Sequence, residues 1–294
     1  MSGRDENSNK IAASIEISPK QAIESSDLPG LFPDGVRVYV TDVGSDPTAT
    51  LVEAAKRVRD LGYVPVPHIA ARRLTTTAAF EERIRALTEE VGVNEVLIIG
   101  GGLDKPTGDF ASTMTVLETG MLERFGIKEI GVAGHPEGSP DFSEDTAYEA
   151  LRLKQTFGEQ SGIKVRIVTQ FGFDPDQAIK WAMGLKEHGV ELPIHLGVAG
   201  PAKTTTLIKY AAMCGVGNSV NFLRKHSRSL VTLATSHSPE SVVGPIEQHV
   251  IETPASPIKQ IHVFPFGGIK KAAHWLEERG SWPTERQNVS MYTL

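Results

Sequence analysis

One cysteine in 294 residues, Cys214, excludes an intramolecular disulfide and a cysteine-only metal site within one chain. That scarcity fits a reducing, cytoplasmic setting. Long apolar runs are missing too. None reaches the about 18 residues of a membrane span, and the opening MSGRDENSNK lacks the apolar core of a signal peptide. Nor is there a basic excess: a net charge of −6 and a pI near 5.9 argue against nucleic acid or an anionic membrane as the main partner. A local pocket for a small anion remains open. Cys214, in AAMCGVG, is expected to pack as an inert thiol on an apolar face.

What the chain does have is a repeat of short β-rich runs: 11–17, 36–41, 64–69, 95–100, 129–134, 165–171, 192–197 and 260–266. Most are apolar throughout, as strands buried on both faces require. Pro65 and Pro67 weaken the third, since proline cannot donate to a ladder. Between the runs lie stretches of helical periodicity, such as TATLVEAAKRVRDLG and DPDQAIKWAMGLKEHG. The interval before the last strand has room for extra helices around SVNFLRKH and PESVVGPIEQHV. Eight strands alternating with helices predict a (β/α)8 TIM barrel over 11–280, after a disordered segment 1–10 and before a C-terminal tail 281–294. An open doubly wound sheet is the second choice; SIEISPK lacks the glycine fingerprint it would want.

In a barrel, function collects where strands end. Those ends carry Glu16, Thr41, Asp42, His68, the glycines of GGGLDKPTG, His135, Glu137, Gln170, Phe173, His195 and Phe264. Histidine, glutamine and phenylalanine there suit a pocket better than a solvated rim. GVAGPAKT falls one glycine short of a phosphate loop, because Ala202 stands where the second glycine belongs. No HxH pair on the first strand and no HExxH helix supports a metal site, so none is expected. Glu16, flanked by isoleucines, must be paired or have a raised pKa, and a raised carboxyl group is what a general acid needs.

Several segments together resemble the methylenetetrahydrofolate reductase family. GVAGHPEGSP is similar to its GVAGYPEGHP, VRIVTQFGFD to ITQFFFD, SIEISPK to FEFFPP, VPVPHIAAR to PHLTC, and IGGGLDKPTG to its RGD or GGD loop. They fall in the family's order along nearly the whole chain. The resemblance implies a (β/α)8 barrel that reduces 5,10-methylenetetrahydrofolate to 5-methyltetrahydrofolate with electrons from NAD(P)H, in one-carbon metabolism and methionine biosynthesis. By position it implies Glu16 as the acid that opens the substrate ring, and Gln170, Phe173 and Asp104 at the substrate. It implies Thr41, His68, Gly102, Ala133 and His135 along a flavin.

The partners it implies are a folate and a nicotinamide dinucleotide, with a homo-oligomer compatible. The departures concentrate on the flavin side. The loop's acidic residue is Gly102, with Asp104 two positions on; the histidine of PEGHP is Ser139; a basic pair becomes Gln155 and Thr156; and Ala199 replaces an aromatic or methionine. Both an FAD relay and flavin-free hydride transfer from NAD(P)H therefore stand as alternatives. So does a catalytically silent folate-binding or scaffold barrel.

Overall fold

A computed structural model describes residues 10–42, 46–214, 216 and 236–282. Eight parallel strands close into a barrel: β1 (Ala13–Ile17), β2 (Arg37–Val40), β3 (Val64–Ala70), β4 (Glu95–Ile99), β5 (Glu129–Gly134), β6 (Lys164–Thr169), β7 (Ile194–Ala199) and β10 (Ile258–Phe264). Each strand pairs with its sequence neighbour, and β10 lies between β7 and β1 to complete the ring. A separate antiparallel ribbon joins β8 (Ala202–Lys203) to β9 (Ser236–His237). This is the (β/α)8 architecture expected from the eight runs.

The helices form where the periodicity places them. Thr48–Asp60 buries Leu51, Val52, Ala54, Ala55 and Val58 on one stripe against the sheet. Thr77–Glu89 starts at Thr76, whose side chain accepts from the Ala79 N–H, and Pro175–Gly184 starts at Asp174, which accepts from Asp176 and Gln177. An additional helix, Glu240–Glu252, precedes β10, as PESVVGPIEQHV suggested. SVNFLRKH lies outside the described residues, as do 1–9 and 283–294. Lys10 is tied to Glu247 at 3.4 Å, and Trp282 packs its ring 5.5 Å from that of Phe32.

Pro65 and Pro67 do not break β3. Val64 donates its N–H to the Val36 carbonyl beside β2, so alternation turns the two proline nitrogens toward β4. There the β3–β4 pairing begins only at His68 and Leu97, above both prolines.

Three apolar clusters result among the described residues. The large one lies between the sheet and the helices. A small one inside the barrel joins Tyr39, Val66, Leu97 and Val168. Below that inner layer sits a buried ion network at the strand starts. Arg37 donates Nε to Glu95 at 2.7 Å and Nη2 at 3.2 Å. Arg166, 1% exposed, reaches Glu95 at 3.1 Å, pairs with Glu129, and donates Nε to the Tyr39 hydroxyl at 3.1 Å. Two guanidiniums and two carboxylates thus close the lower end of the barrel.

Candidate active site

Glu16 is the fourth of the five β1 residues, so its side chain points into the barrel near the end where parallel strands finish. Two histidines meet it there. His262 Nε2, from β10, lies 3.5 Å from Glu16 Oε2, and His68 Nε2, from β3, lies 3.6 Å from the same oxygen. On its other side, His262 places Nδ1 3.0 Å from the buried Ser14 hydroxyl on β1. Tyr39 packs its ring 4.4 Å from the His262 ring, and Phe264 meets that ring edge-on at 5.0 Å. Among the described residues, nothing hydrogen-bonds Glu16 Oε1. The side chain keeps 19% exposure.

The electrostatics correct one expectation. Burial pushes the Glu16 carboxyl up, as isoleucine flanks suggested, but the His262 hydrogen bond and the charges of His68 and His262 outweigh it. The net value falls below the ordinary 4.5, so the resting group is a carboxylate. Burial also pulls His68 down; His262 pulls the same way, while Glu16 and Asp42 pull it up. His68 Nε2 is buried without a hydrogen bond, being just beyond that range from Glu16.

The other expected residues sort into groups. His135 and Gln170, directly after β5 and β6, line one cleft together with Glu137, Gly138 and Phe171. Burial holds His135 down at about 4, helped by the Lys154 charge and opposed by Asp141. Gln170 turns Oε1 back to its neighbour, accepting from the Phe171 N–H at 3.3 Å. Phe173 is buried, with its ring edge-on to Phe171 at 5.9 Å, in an aromatic patch with Phe264 and Phe266. Ala133 is in β5 and half-buried; Thr41 follows β2 and donates its N–H to the Ile17 carbonyl.

Gly102 and Asp104 are exposed, on a loop fastened to 72–73 by Arg72 to the Leu103 carbonyl and Arg73 to the Gly101 carbonyl. Gln155 spends its amide on the backbone of Gly189 and Glu191, and Thr156 is exposed. On that helix, only Lys154 is a buried cation; burial alone lowers it to about 8.

Two sequence expectations move. His195 is not at a strand end: β7 runs on to Ala199, and His195 is its second residue. Burial and the charges of Arg166, Arg37 and His262 hold it well below 6.5, near the lower network. Cys214 is exposed rather than packed, because its helix ends at Met213 and the next residue leaves the apolar stripe. The sequence reading missed His262 and Ser14. A histidine between Ile261 and Val263 was a usable signal, since an inward polar residue in an apolar strand needs a partner. Among the described residues, no three His, Cys, Asp or Glu side chains form a metal-binding group.

The fold and its mouth define a (β/α)8 barrel with one carboxylate held between two imidazoles at the end where the strands finish. No family model matches the chain. Methylenetetrahydrofolate reductase 1 of Schizosaccharomyces pombe (strain 972 / ATCC 24843) is 35% identical over 95 residues, covering 32% of this chain and 15% of that protein. The match thus spans a small part of the relative's own length. An uncharacterized protein from Clostridium thermocellum, which binds two copies of 5-methyl-5,6,7,8-tetrahydrofolic acid, superimposes with a TM-score of 0.52 at 13% identity, over 96% of this chain and 98% of that one. At that identity the likeness is one of fold. Dihydropteroate synthase from Thermus thermophilus, in complex with 6HMPPP, aligns over 92% of this chain and 93% of its own at 12% identity, with a TM-score of 0.46.

Proposed function

We propose that this barrel reduces 5,10-methylenetetrahydrofolate to 5-methyltetrahydrofolate with NAD(P)H, and that Glu16 delivers the proton that opens the substrate ring. The observation that carries this reading is the placement of Glu16: near the end of β1, partly exposed, with Oε1 free for a ligand and Oε2 backed by His262 and His68. The 35% identity over 95 residues to a methylenetetrahydrofolate reductase and the ordered motifs support this substrate class.

The chemistry asked of the site is short. A proton from Glu16 goes to the departing ring nitrogen; the carbon–nitrogen bond breaks with its electron pair on that nitrogen, and the other nitrogen's lone pair makes an iminium. The nicotinamide supplies the hydride that reduces it. His68 and His262 hold the Glu16 carboxylate in register, and Gln170 and His135 line the same rim for the pterin and the dinucleotide. Removing a general acid costs on the order of 10²-fold or more in rate. Glu16→Gln is expected to keep 5-methyltetrahydrofolate binding and to lose turnover on that scale. A variant within a few-fold of the parent ends the proposal.

The residues on the flavin side fit a tightly held FAD poorly. Gly102 offers no carboxylate, Asp104 is exposed on a pinned loop, Gln155 is engaged elsewhere, and Thr156 faces out. Each missing charge-assisted hydrogen bond is worth about 1.5–3 kcal/mol. Flavin released on denaturing the purified protein is expected to be well below one equivalent; a stoichiometric yield restores the FAD relay. One observation favours a second reading: a carboxylate ionised at rest also suits a barrel that only binds folate. Normal folate binding without any turnover by the parent would select it.

A further inference from the structure

Burying a cation without a counter-charge is costly, and the helix Glu144–Ser161 buries one: Lys154 is 7% exposed. We propose, resting on the reductase reading, that Lys154 anchors a phosphate group of the nicotinamide dinucleotide in the cleft beside the 135–144 loop.

Helix geometry aims the ammonium. Ala147, Leu151 and Lys154 follow one another at spacings of four and three, so they share one face of the helix. Ala147 and Tyr148 line the cleft, together with His135, Phe142 and Trp181. Side chains on a helix lean toward its N-terminus, which directs Lys154 from the middle of the helix up toward Ala147 and the cleft. His135 agrees with that direction, since it lines the cleft and feels the Lys154 charge. Among the described residues, no hydrogen bond or ion pair holds the ammonium. Burial lowers it to about 8 with no carboxylate acting against that, so it keeps its charge at pH 7.

The lining of the cleft selects the anion. Phe142, Tyr148 and Trp181 offer aromatic faces, and His135 meets the Phe142 ring edge-on at 5.1 Å. Flat apolar walls beside a cation suit a nucleotide, whose base stacks while its phosphate meets the charge. The helix N-terminus is taken by the chain's own groups: Ser143 caps it, and Glu144 and Asp145 fill its first turn. The other cation of this helix, Arg152, is exposed and donates to the His188 carbonyl at 3.1 Å. A phosphate in this cleft therefore finds its counter-charge at Lys154. His135 also lines the neighbouring cleft with Gln170, so a dinucleotide held here extends toward the rim at which the proposed reaction is placed.

The test uses the full chain and Lys154→Met, which keeps the side-chain length and removes the charge. NADH and NADPH are titrated separately by fluorescence. The one that the parent binds more tightly should bind the variant at least about tenfold more weakly, with 5-methyltetrahydrofolate affinity within about twofold. Reduced nicotinamide riboside, which carries no phosphate, should bind both proteins alike. Inorganic phosphate should weaken dinucleotide binding by the parent and leave that by the variant unchanged. The variant's Tm should equal or exceed the parent's, because an unmatched buried charge is gone.

Equal dinucleotide affinities in the two proteins overturn the anchor, and so does a riboside that loses as much as the dinucleotide. A variant Tm well below the parent's also overturns it, by showing that the ammonium holds the fold. If inorganic phosphate raises the Tm of the parent alone while the dinucleotide binds both proteins alike, the cleft takes free phosphate and the assignment to the dinucleotide falls. The titrations need no turnover. A parent that binds the dinucleotide through Lys154 yet reduces no methylenetetrahydrofolate defeats the proposed reaction alone; equal affinities with turnover intact defeat the anchor alone.

Discussion

At the lower end of the barrel, Arg37, Glu95, Glu129 and Arg166 share two charges of each sign within about a side chain's reach, with contacts such as 2.7 Å and 3.1 Å. At the mouth, Glu16 meets its histidines at 3.5 and 3.6 Å and leaves one oxygen uncommitted. Both clusters are carried on inward-facing strand positions of the same sheet. The lower one uses arginine, which does not deprotonate and forks onto carboxylates, so its partners are fixed across ordinary pH. The upper one uses histidine, a side chain whose charge can change near neutrality, and its contacts are longer. The difference separates a tight ion network that holds the barrel shut from the looser cluster at which the proposed reaction is placed.

The largest expected effect comes from breaking the lower cluster. Arg166→Met leaves Glu95 and Glu129 sharing Arg37 alone. Removing one partner of a buried network typically costs about 3–5 kcal/mol. Thermal melting should show a Tm lower by on the order of 10 °C. A Tm within about 2 °C of the parent would erase the contrast between the clusters. Glu16→Gln should do the reverse, with a Tm near the parent's and turnover lower by on the order of 10²-fold, about 2.7 kcal/mol of barrier.

Acid sharpens the comparison at intermediate scale. His135 has a folded value of about 4 against 6.5 unfolded, so the unfolded chain takes up its proton first. The resulting stability is complete above pH 6.5 and is lost as pH falls toward 4. Glu95, pushed up by burial but drawn below 4.5 by Arg37 and Arg166, keeps its contribution until pH drops under 4.5. Urea midpoints measured from pH 7.5 to 4.5 should therefore decline, and His135→Phe should flatten the decline. An unchanged slope would mean the rim histidine is not the sensitive group. Smallest is Ser14→Ala, which removes one partner of His262 Nδ1. A few-fold loss of kcat, with stability within about 1 kcal/mol of the parent, is the expected result.

Much of this architecture was legible in the sequence because strand burial and helix periodicity are local signals. All eight runs became barrel strands, and Glu16 stood out as a charge among isoleucines. What was not legible depends on which residues face each other across the ring. His262 is 246 residues from Glu16, and only closure of β10 onto β1 brings them together. The same closure reversed the expected direction of the Glu16 pKa, since flanking isoleucines are visible in sequence and opposing imidazoles are not. His195 was placed too high because a strand's end cannot be read to the residue where apolar character continues into GVA.

The two prolines of β3 give the barrel a seam. Below His68, β3 has no amide hydrogens at positions 65 and 67 to offer β4, and the stretch is spanned by the Arg37–Glu95 pair, which runs from β2 across β3 to β4. Here a side-chain clasp stands where two backbone hydrogen bonds are missing. Amide exchange should accordingly begin along the lower β3–β4 edge and spread upward only after the clasp lets go. Exchange that begins there would open the barrel from the end away from Glu16.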